Sequence, residues 1–297
     1  MKKLRNLFIT IFALTLTGIA FAKDIHVAII DTGIDPTNDM FKGRLYIGNK
    51  PANGDEYGMD FSIGANTITR PYDLHGHGTH IAGIIAKRSK HAKLHILKYY
   101  NPSASGEENL QSTIKALQYA INLGVDIINY SSGGPEPSIA EKRLLDLAEK
   151  KGILIVSAAG NFGTNIDSYG AEFFPASYHH SNIITVGSHN KDNQPLPSSN
   201  FGKRSVDLFA PGHRILSTLP NHREGFLTGT SQATAFVSAK VANMMKDAKN
   251  TTVKNIKSML LQQVIKKHQF ADICQTGGML KLDEEKEEFS RSIASQL

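Results

Sequence analysis

The stretch Ile25-His26-Val27-Ala28-Ile29-Ile30-Asp31-Thr32-Gly33-Ile34-Asp35 sets the reading of the whole chain. Six residues rich in β-branched apolar side chains lead directly into a carboxylate and a Gly turn, which reads as a buried strand ending at Asp31. The same grammar recurs at Leu94 to Tyr99, Val125 to Tyr130, Ile153 to Ala158 and Ile183 to Gly187. Between these runs, Gly78 to Arg88, Leu110 to Leu123 and Ile139 to Lys151 carry helical periodicity, with Gly124 and Gly152 as C-terminal stops. Strands that are apolar throughout are buried on both faces, so the alternation predicts a three-layer α/β fold with a mostly parallel central sheet and helices on both faces.

In such sheets ligands collect at the carboxyl ends of the strands. Asp31 follows the first strand, Ser131 and Ser132 the third, and Asn161 the fourth, so these segments should line one edge of the molecule. A long Ala/Val/Met-rich helix is expected from Ser231 to Asp247, its positive N-terminal end facing the same edge.

Three short islands then supply an acid, an imidazole and a hydroxyl: Ile30 to Asp35, His75-Gly76-His77-Gly78-Thr79-His80, and Gly229-Thr230-Ser231-Gln232-Ala233-Thr234-Ala235. A hydroxyl nucleophile, a base for its proton and a carboxylate to orient that base are the minimum set for acyl transfer. Singly, Asp31 reads as a turn cap, His77 as a polar residue of a Gly-rich loop and Ser231 as a helix cap; together they read as a catalytic set. The Gly-x-Ser-x-Gly elbow of another hydrolase fold is absent around Ser231.

The chain has 297 residues and a formal charge of +6. It begins Met1-Lys2-Lys3-Leu4-Arg5, continues with an apolar run from Leu7 to Ile19 and reaches Ala20-Phe21-Ala22. This is the pattern of a secretory signal peptide over residues 1–22, with a mature start at Lys23 and a secreted or periplasmic destination; no stable membrane anchor is expected. Residues 1–22 hold three of the 33 basic residues and none of the 27 acidic ones, leaving +3 with both signs interspersed, which does not suggest a nucleic-acid partner. The basic run Lys87 to Lys93 suits a helix C-terminus, and the acidic segment from about Asp283 suits a solvated face. Without a linker or repeat, residues 23–297 read as a single domain. Cys274 is the only cysteine, so no intrachain disulfide can form, and it reads as a small buried apolar residue.

Asp31, His77 and Ser231 occur in the order Asp, His, Ser, and the segments around them resemble the aspartate, histidine and serine motifs of the subtilisin-like serine peptidases, the subtilases. Ser157-Ala158-Ala159-Gly160-Asn161 resembles the family segment that carries the oxyanion asparagine. The resemblance implies a secreted serine endopeptidase in which Ser231 attacks, His77 is the base, Asp31 orients it, and Asn161 with the Ser231 backbone N–H binds the oxyanion. His75 and His80 are not the base by that pattern. Ser131-Ser132-Gly133-Gly134-Pro135 resembles the segment whose backbone pairs with a polypeptide substrate, and Ser103-Ala104-Ser105-Gly106-Glu107 the opposite rim, which makes Ser131, Ser132, Gly133, Ser105, Gly106 and Gly160 candidate binding residues. The competing class is a non-catalytic peptide-binding protein of the same fold, whose signature would be a lost triad or oxyanion residue; none is lost.

The chain also departs from the family pattern. Gln232 and Ala235 stand where relatives commonly have Met and Pro, so peroxide inactivation through a thioether is not expected at Gln232. Between His80 and Leu94 no Asn-rich calcium loop is inserted; no cofactor is expected there, although Asp24, Asp39, Asp55 and Asp60 leave a different calcium site open. Gly43 to Arg70 reads as an added surface loop. Phe173 falls where small residues often floor the pocket for the residue before the scissile bond, which would make it shallow; Glu172 beside it would instead favour a basic side chain, and the sequence leaves both open. Phe174-Pro175 sits where the family often has a cis bond. Asp31 stands eight positions after Lys23, which leaves no room for a folded pro-domain between them and implies folding unaided or with a separate inhibitor or folding helper.

Overall fold

The computed structural model describes residues 24–65, 68–248 and 251–282; residues 1–22, read above as a signal peptide, and the acidic segment from Asp283 lie outside the described residues. Its strands are β1 (Ile25–Asp31), β2 (Tyr46–Ile47), β3 (Lys50–Pro51), β4 (Met59–Asp60), β5 (Ala92–Lys98), β6 (Ile127–Tyr130), β7 (Leu154–Ala158), β8 (Ile183–His189), β9 (Leu208–Pro211), β10 (Ile215–Leu219), β11 (Arg223–Leu227), β12 (Ile265–Lys266) and β13 (Gly278–Met279). The helices are α1 (His77–Arg88), α2 (Gly106–Leu123), α3 (Ile139–Lys150), α4 (Thr230–Asp247) and α5 (Val253–Gln262).

Nine strands form one sheet in the order β12-β13-β9-β8-β7-β6-β1-β5-β4, parallel except for the β12–β13 pair. The expected fold class is therefore observed. From β1 the chain first adds β5 on one side and then returns to add β6 on the other. This reversal opens a crevice at the carboxyl ends of β1 and β6, where an open α/β sheet binds its ligands.

Side chains of each strand divide between two cores with the period of two that a pleated strand imposes. Val27 and Ile29 of β1, Ile127 of β6 and Val156 of β7 enter one core with α1, α4 and α5. Ala28, Ile30, Ile128, Tyr130 and Ile155 enter the other with α2 and α3. Burying one such Ile or Val contributes about 1.5–3 kcal/mol. A third, smaller cluster joins Ala159, Phe173, Val206, Phe209, Phe270, Cys274 and Met279 near the β9 edge, so Cys274 is the buried residue expected.

Helix ends follow the sequence signals at Gly124 and Gly152, both left-handed with φ of 74° and 69°. Lys87 and Arg88 fall in the last turn of α1. Helix α2 begins at Gly106 rather than Leu110, because Ser105 and Glu108 form a reciprocal capping box that starts the helix a turn earlier. The segment 43–70 is more than a surface loop: it contributes β4, which extends the sheet beyond β5 through pairing of Met59 with Leu97 and Asp60 with Lys98.

Candidate active site

Asp31 is the last residue of β1 and is only 3% exposed. Its Oδ1 accepts from the Thr32 backbone N–H at 2.7 Å and lies 2.7 Å from His77 Nδ1. His77 is the first residue of α1, so the end of one strand and the start of one helix supply the pair. The two segments meet backbone to backbone: a Cβ on Gly78 would lie 2.2 Å from the Gly33 carbonyl oxygen, a distance no larger residue tolerates. Burial pushes the His77 pKa down, but the Asp31 charge and hydrogen bond outweigh it, and the net shift is upward from 6.5.

A second carboxylate, fully buried, organises this pair. Asp73 Oδ1 accepts from the Thr32 hydroxyl at 2.8 Å and from the backbone N–H groups of His75 and Gly76 at 3.0 and 2.7 Å. Its Oδ2 accepts from the Thr79 N–H at 2.8 Å and hydroxyl at 2.7 Å. Thr32 Oγ1 in turn accepts from the Gly78 N–H at 2.8 Å. Asp73 thus ties the residue after Asp31 to the first turn of α1. Burial alone would raise its pKa, yet the bonds from Gly76, Thr79 and Thr32 hold it below 3.8. The sequence reading missed this residue; an Asp four positions before His77, just ahead of the same Gly-rich island, was the available signal.

His80 and His75 do other work. His80 Nε2 lies 2.9 and 3.1 Å from the carbonyls of Ile215 and Gly225, pinning the β10–β11 hairpin to α1, and burial lowers its pKa to about 4. The exposed His75 ring packs edge-on to Tyr100, its centroid 6.3 Å from that of His77.

Ser231 is the second residue of α4 and is buried. Its hydroxyl donates to the Ser131 carbonyl at 3.0 Å, which holds it against the end of β6. Ser131 is itself braced, because its Oγ accepts from Asn129 Nδ2 at 2.7 Å and Asn129 Oδ1 accepts from Ser238 Oγ, further along α4, at 2.8 Å. Asn161 lies just past β7. Its Oδ1 accepts from the Thr230 N–H at 2.9 Å and hydroxyl at 3.1 Å, which orients the amide, and Nδ2 has no partner among the described residues. The Gly160 N–H donates to Thr230 Oγ1 at 3.3 Å. Asn200, which the sequence reading did not single out, clamps this loop by donating to the Ala159 carbonyl and accepting from the N–H groups of Phe162 and Thr164.

Of the expected rims, Gly134 exchanges two backbone bonds with Phe174, at 3.0 and 2.8 Å, while Ser132 and Gly133 pair with no neighbouring strand among the described residues. Ser105 caps α2: its N–H and hydroxyl are engaged by Glu108 and its carbonyl accepts from the Asn109 N–H, while Ser105 and Gly106 are both exposed. The Phe174–Pro175 bond is cis.

The four carboxylates considered for calcium each face a cation instead: Asp24 with Lys93, Asp39 with Lys42, Asp55 with Arg70 and Asp60 with Lys98. They do not converge as the oxygen ligands of a hard cation would. Among the described residues no helix is long and apolar enough to cross a membrane.

A strand-end carboxylate bonded to a helix-start imidazole, with a helix-start hydroxyl held at the end of β6, fits a serine-hydrolase type of site. Comparison with known proteins narrows the class. The model of the Subtilase family matches residues 22–285. The major intracellular serine protease of Bacillus subtilis (strain 168) is 37% identical over 229 residues, covering 74% of this chain and 68% of that protein. Subtilisin E of the same organism is 34% identical over 230 residues, and there the chain spans only 55% of the relative's length. Among solved structures, a cold adapted subtilisin-like serine proteinase superimposes with a TM-score of 0.70 at 25% identity, covering 86% of each chain. A lanthipeptide protease gives a TM-score of 0.72 at 21% identity, a likeness of fold. The chain belongs to the subtilase family and is a subtilisin-like serine peptidase.

Proposed function

We propose that this chain is an endopeptidase that cleaves polypeptides through a covalent acyl-enzyme on Ser231. The observation that carries the reading is the 2.7 Å bond between the buried Asp31 carboxylate and His77 Nδ1, which leaves Nε2 as the nitrogen that takes a proton. Ser231 Oγ turns from the Ser131 carbonyl toward His77 Nε2, loses its proton to it and adds to the scissile carbonyl. The carbonyl oxygen gains negative charge at that moment. Asn161 Nδ2 and the Ser231 N–H at the positive end of α4 donate to it, an interaction worth far more to the transition state than to the ground state. The imidazolium, stabilised by Asp31, returns its proton to the leaving amine. Water then repeats the sequence on the ester, with His77 as base again.

Substrate lies extended along Ser131–Gly133 on one side and Gly106 on the other, so main-chain bonds supply affinity. Gly160 lies next to Asn161 beneath the reacting carbonyl. We also infer export, supported by the basic start, apolar run and Ala-x-Ala end of residues 1–22, although a relative bears the name of an intracellular enzyme. N-terminal sequencing of the protein recovered outside the cytoplasm should then begin at Lys23; recovery only inside the cell with residues 1–22 attached refutes export.

A fluorophosphonate reagent should label Ser231 and abolish cleavage of a denatured protein substrate, and Ser231→Ala should lower kcat by at least ~10⁴-fold. Labelling elsewhere, or full activity in Ser231→Ala, would remove Ser231 as the nucleophile; a wild type that is neither labelled nor cleaves would return the chain to the peptide-binding class.

A further inference from the structure

Two glycines on neighbouring strand ends face one aromatic ring. A Cβ on Gly133, just past β6, would lie 2.6 and 2.9 Å from ring carbons of Phe173, and one on Gly160, just past β7, 3.1 and 3.2 Å from the same ring. The ring therefore fills the gap between the segments that follow β6 and β7. Those segments also carry Ser131, bonded to Ser231 Oγ, and Asn161, so the gap opens directly beside the reacting centre.

Its use follows from the geometry of acylation. With the acyl carbon on Ser231 Oγ and its oxygen toward Asn161 Nδ2, the preceding backbone runs along Ser131–Gly133. The side chain of the residue that owns the carbonyl is then directed into the gap between the two segments. In this chain that space is occupied before substrate arrives.

The ring has no easy exit. Phe173 is 7% exposed and packs with Ala159, Ile166, Ala176 and Phe209 in the third core cluster. Its backbone is held on both sides: the Phe173 N–H donates to Ser177 Oγ at 3.1 Å, the Ser177 N–H donates to the Phe173 carbonyl at 2.9 Å, and the next residue, Phe174, is bonded to Gly134. Phe162, 74% exposed, sets its ring 6.1 Å from that of Phe173 at the solvent side.

We propose that Phe173 is a specificity-determining plug that restricts the residue before the scissile bond to Gly, Ala or Ser. The inference rests on the endopeptidase reading above and deepens it. It also decides between the two alternatives left open at this segment, since a ring that closes the slot denies a long basic side chain access to Glu172.

The test uses purified full-length protein and a peptide series varied only at the residue before the cleaved bond. For the wild type, kcat/KM should be about tenfold or more higher for Ala than for Leu, Phe, Lys or Arg, a discrimination of the size that steric pocket contacts support. Phe173→Ala should raise kcat/KM for Phe and Leu by about tenfold or more while the Ala value changes little. Because deleting a buried ring can unfold the chain, two further readouts accompany it. Methanesulfonyl fluoride should inactivate the wild type faster, relative to phenylmethanesulfonyl fluoride, than it inactivates the folded variants, and Phe173→Leu should move the same ratio part of the way. Fluorophosphonate labelling of Ser231 reports which preparations are competent. A labelled wild type that prefers Phe or Leu, or that cleaves after Lys or Arg, overturns the plug; an unchanged reagent ratio in a labelled Phe173→Leu or Phe173→Ala does the same. A wild type in which Ser231 is not labelled overturns the endopeptidase reading instead.

Discussion

Helices α2, α3 and α5 start in one way, and α1 and α4 in another. The first three begin after Ser105, Ser138 and Thr252, whose side-chain oxygens accept the N–H of Glu108, Glu141 and Asn255. Each stop-gap is local, three residues long and worth about 1 kcal/mol. Helices α1 and α4 begin after Gly76 and Gly229, with no side-chain cap. Their free donors are met from elsewhere: the Gly78 N–H by Thr32 of the β1 turn, the Thr79 N–H by Asp73, and the Thr230 N–H by Asn161 of the β7 loop. The Ser231 N–H is the second donor proposed for the oxyanion. A locally capped helix can begin wherever its own sequence says so, whereas these two complete their first turns only when the site is assembled around them. In the proposed mechanism, capping and catalysis therefore draw on the same atoms.

Breaking a cap of the second kind should therefore cost function first. Asn161→Ala removes both the proposed oxyanion donor and the acceptor for the Thr230 N–H; kcat should fall about 10²- to 10³-fold with KM little changed. A change in KM alone, measured by steady-state kinetics, would reduce Asn161 to a substrate-positioning role. Asp73→Asn puts an amide among five donors, so at least one N–H or O–H faces another donor; kcat should fall on the order of ten- to a hundredfold through misplacement of His77. The same variant has a pH signature. Because the native pKa of Asp73 lies below its unfolded value near 3.8, its ionisation stabilises the fold above that value and the stabilisation is lost as pH falls through the lower, native pKa. Acid unfolding of the wild type should show this loss and Asp73→Asn should lack it; superimposable profiles would deny Asp73 its charge role.

The pairing of Asp31 with His77 predicts a smaller, directional effect. Since the His77 pKa is raised and its neutral form is the base, the rising limb of kcat/KM should have its midpoint above about 6.5, the ordinary imidazole value. A midpoint below that value would mean that burial, not Asp31, dominates. The smallest effect belongs to a locally capped helix. Thr252→Ala should cost about 0.5–2 kcal/mol in urea unfolding and leave kcat/KM unchanged, because among the described residues the Thr252 hydroxyl serves only the Asn255 N–H. A loss of activity beyond the loss of folded protein would blur the distinction between the two kinds of helix.

The same contrast explains what could be read in advance. The strands β1, β5, β6, β7 and β8 were legible as apolar runs because two-sided burial leaves no polar alternation to confuse them. The two-residue strands β4, β12 and β13 and the β10–β11 hairpin carry too little pattern to stand out; pairing, to the nine-stranded sheet for the first three and to each other for β10 and β11, makes them strands. Asp31, His77, Ser231 and Asn161 were legible because each sits in a distinctive Gly-, Thr- or Ala-rich island whose order along the chain is itself informative. The use of Ser105 as the cap of α2 is visible only from its partners.

The sequence alone determined the three-layer α/β class, the strand ends at which chemistry gathers, and the residue types for acyl transfer. These depend on periodicity and on short motifs, both of which are local. Tertiary structure decided the rest. Asp73 becomes a scaffold for the Asp31–His77 pair only because folding aims five donors at its buried carboxylate, and a charge is stable without water only when so many dipoles replace it. Phe173 becomes a plug only because two strand ends far apart in sequence turn their glycines toward one ring, and which space a side chain fills is set by neighbours that no local pattern names.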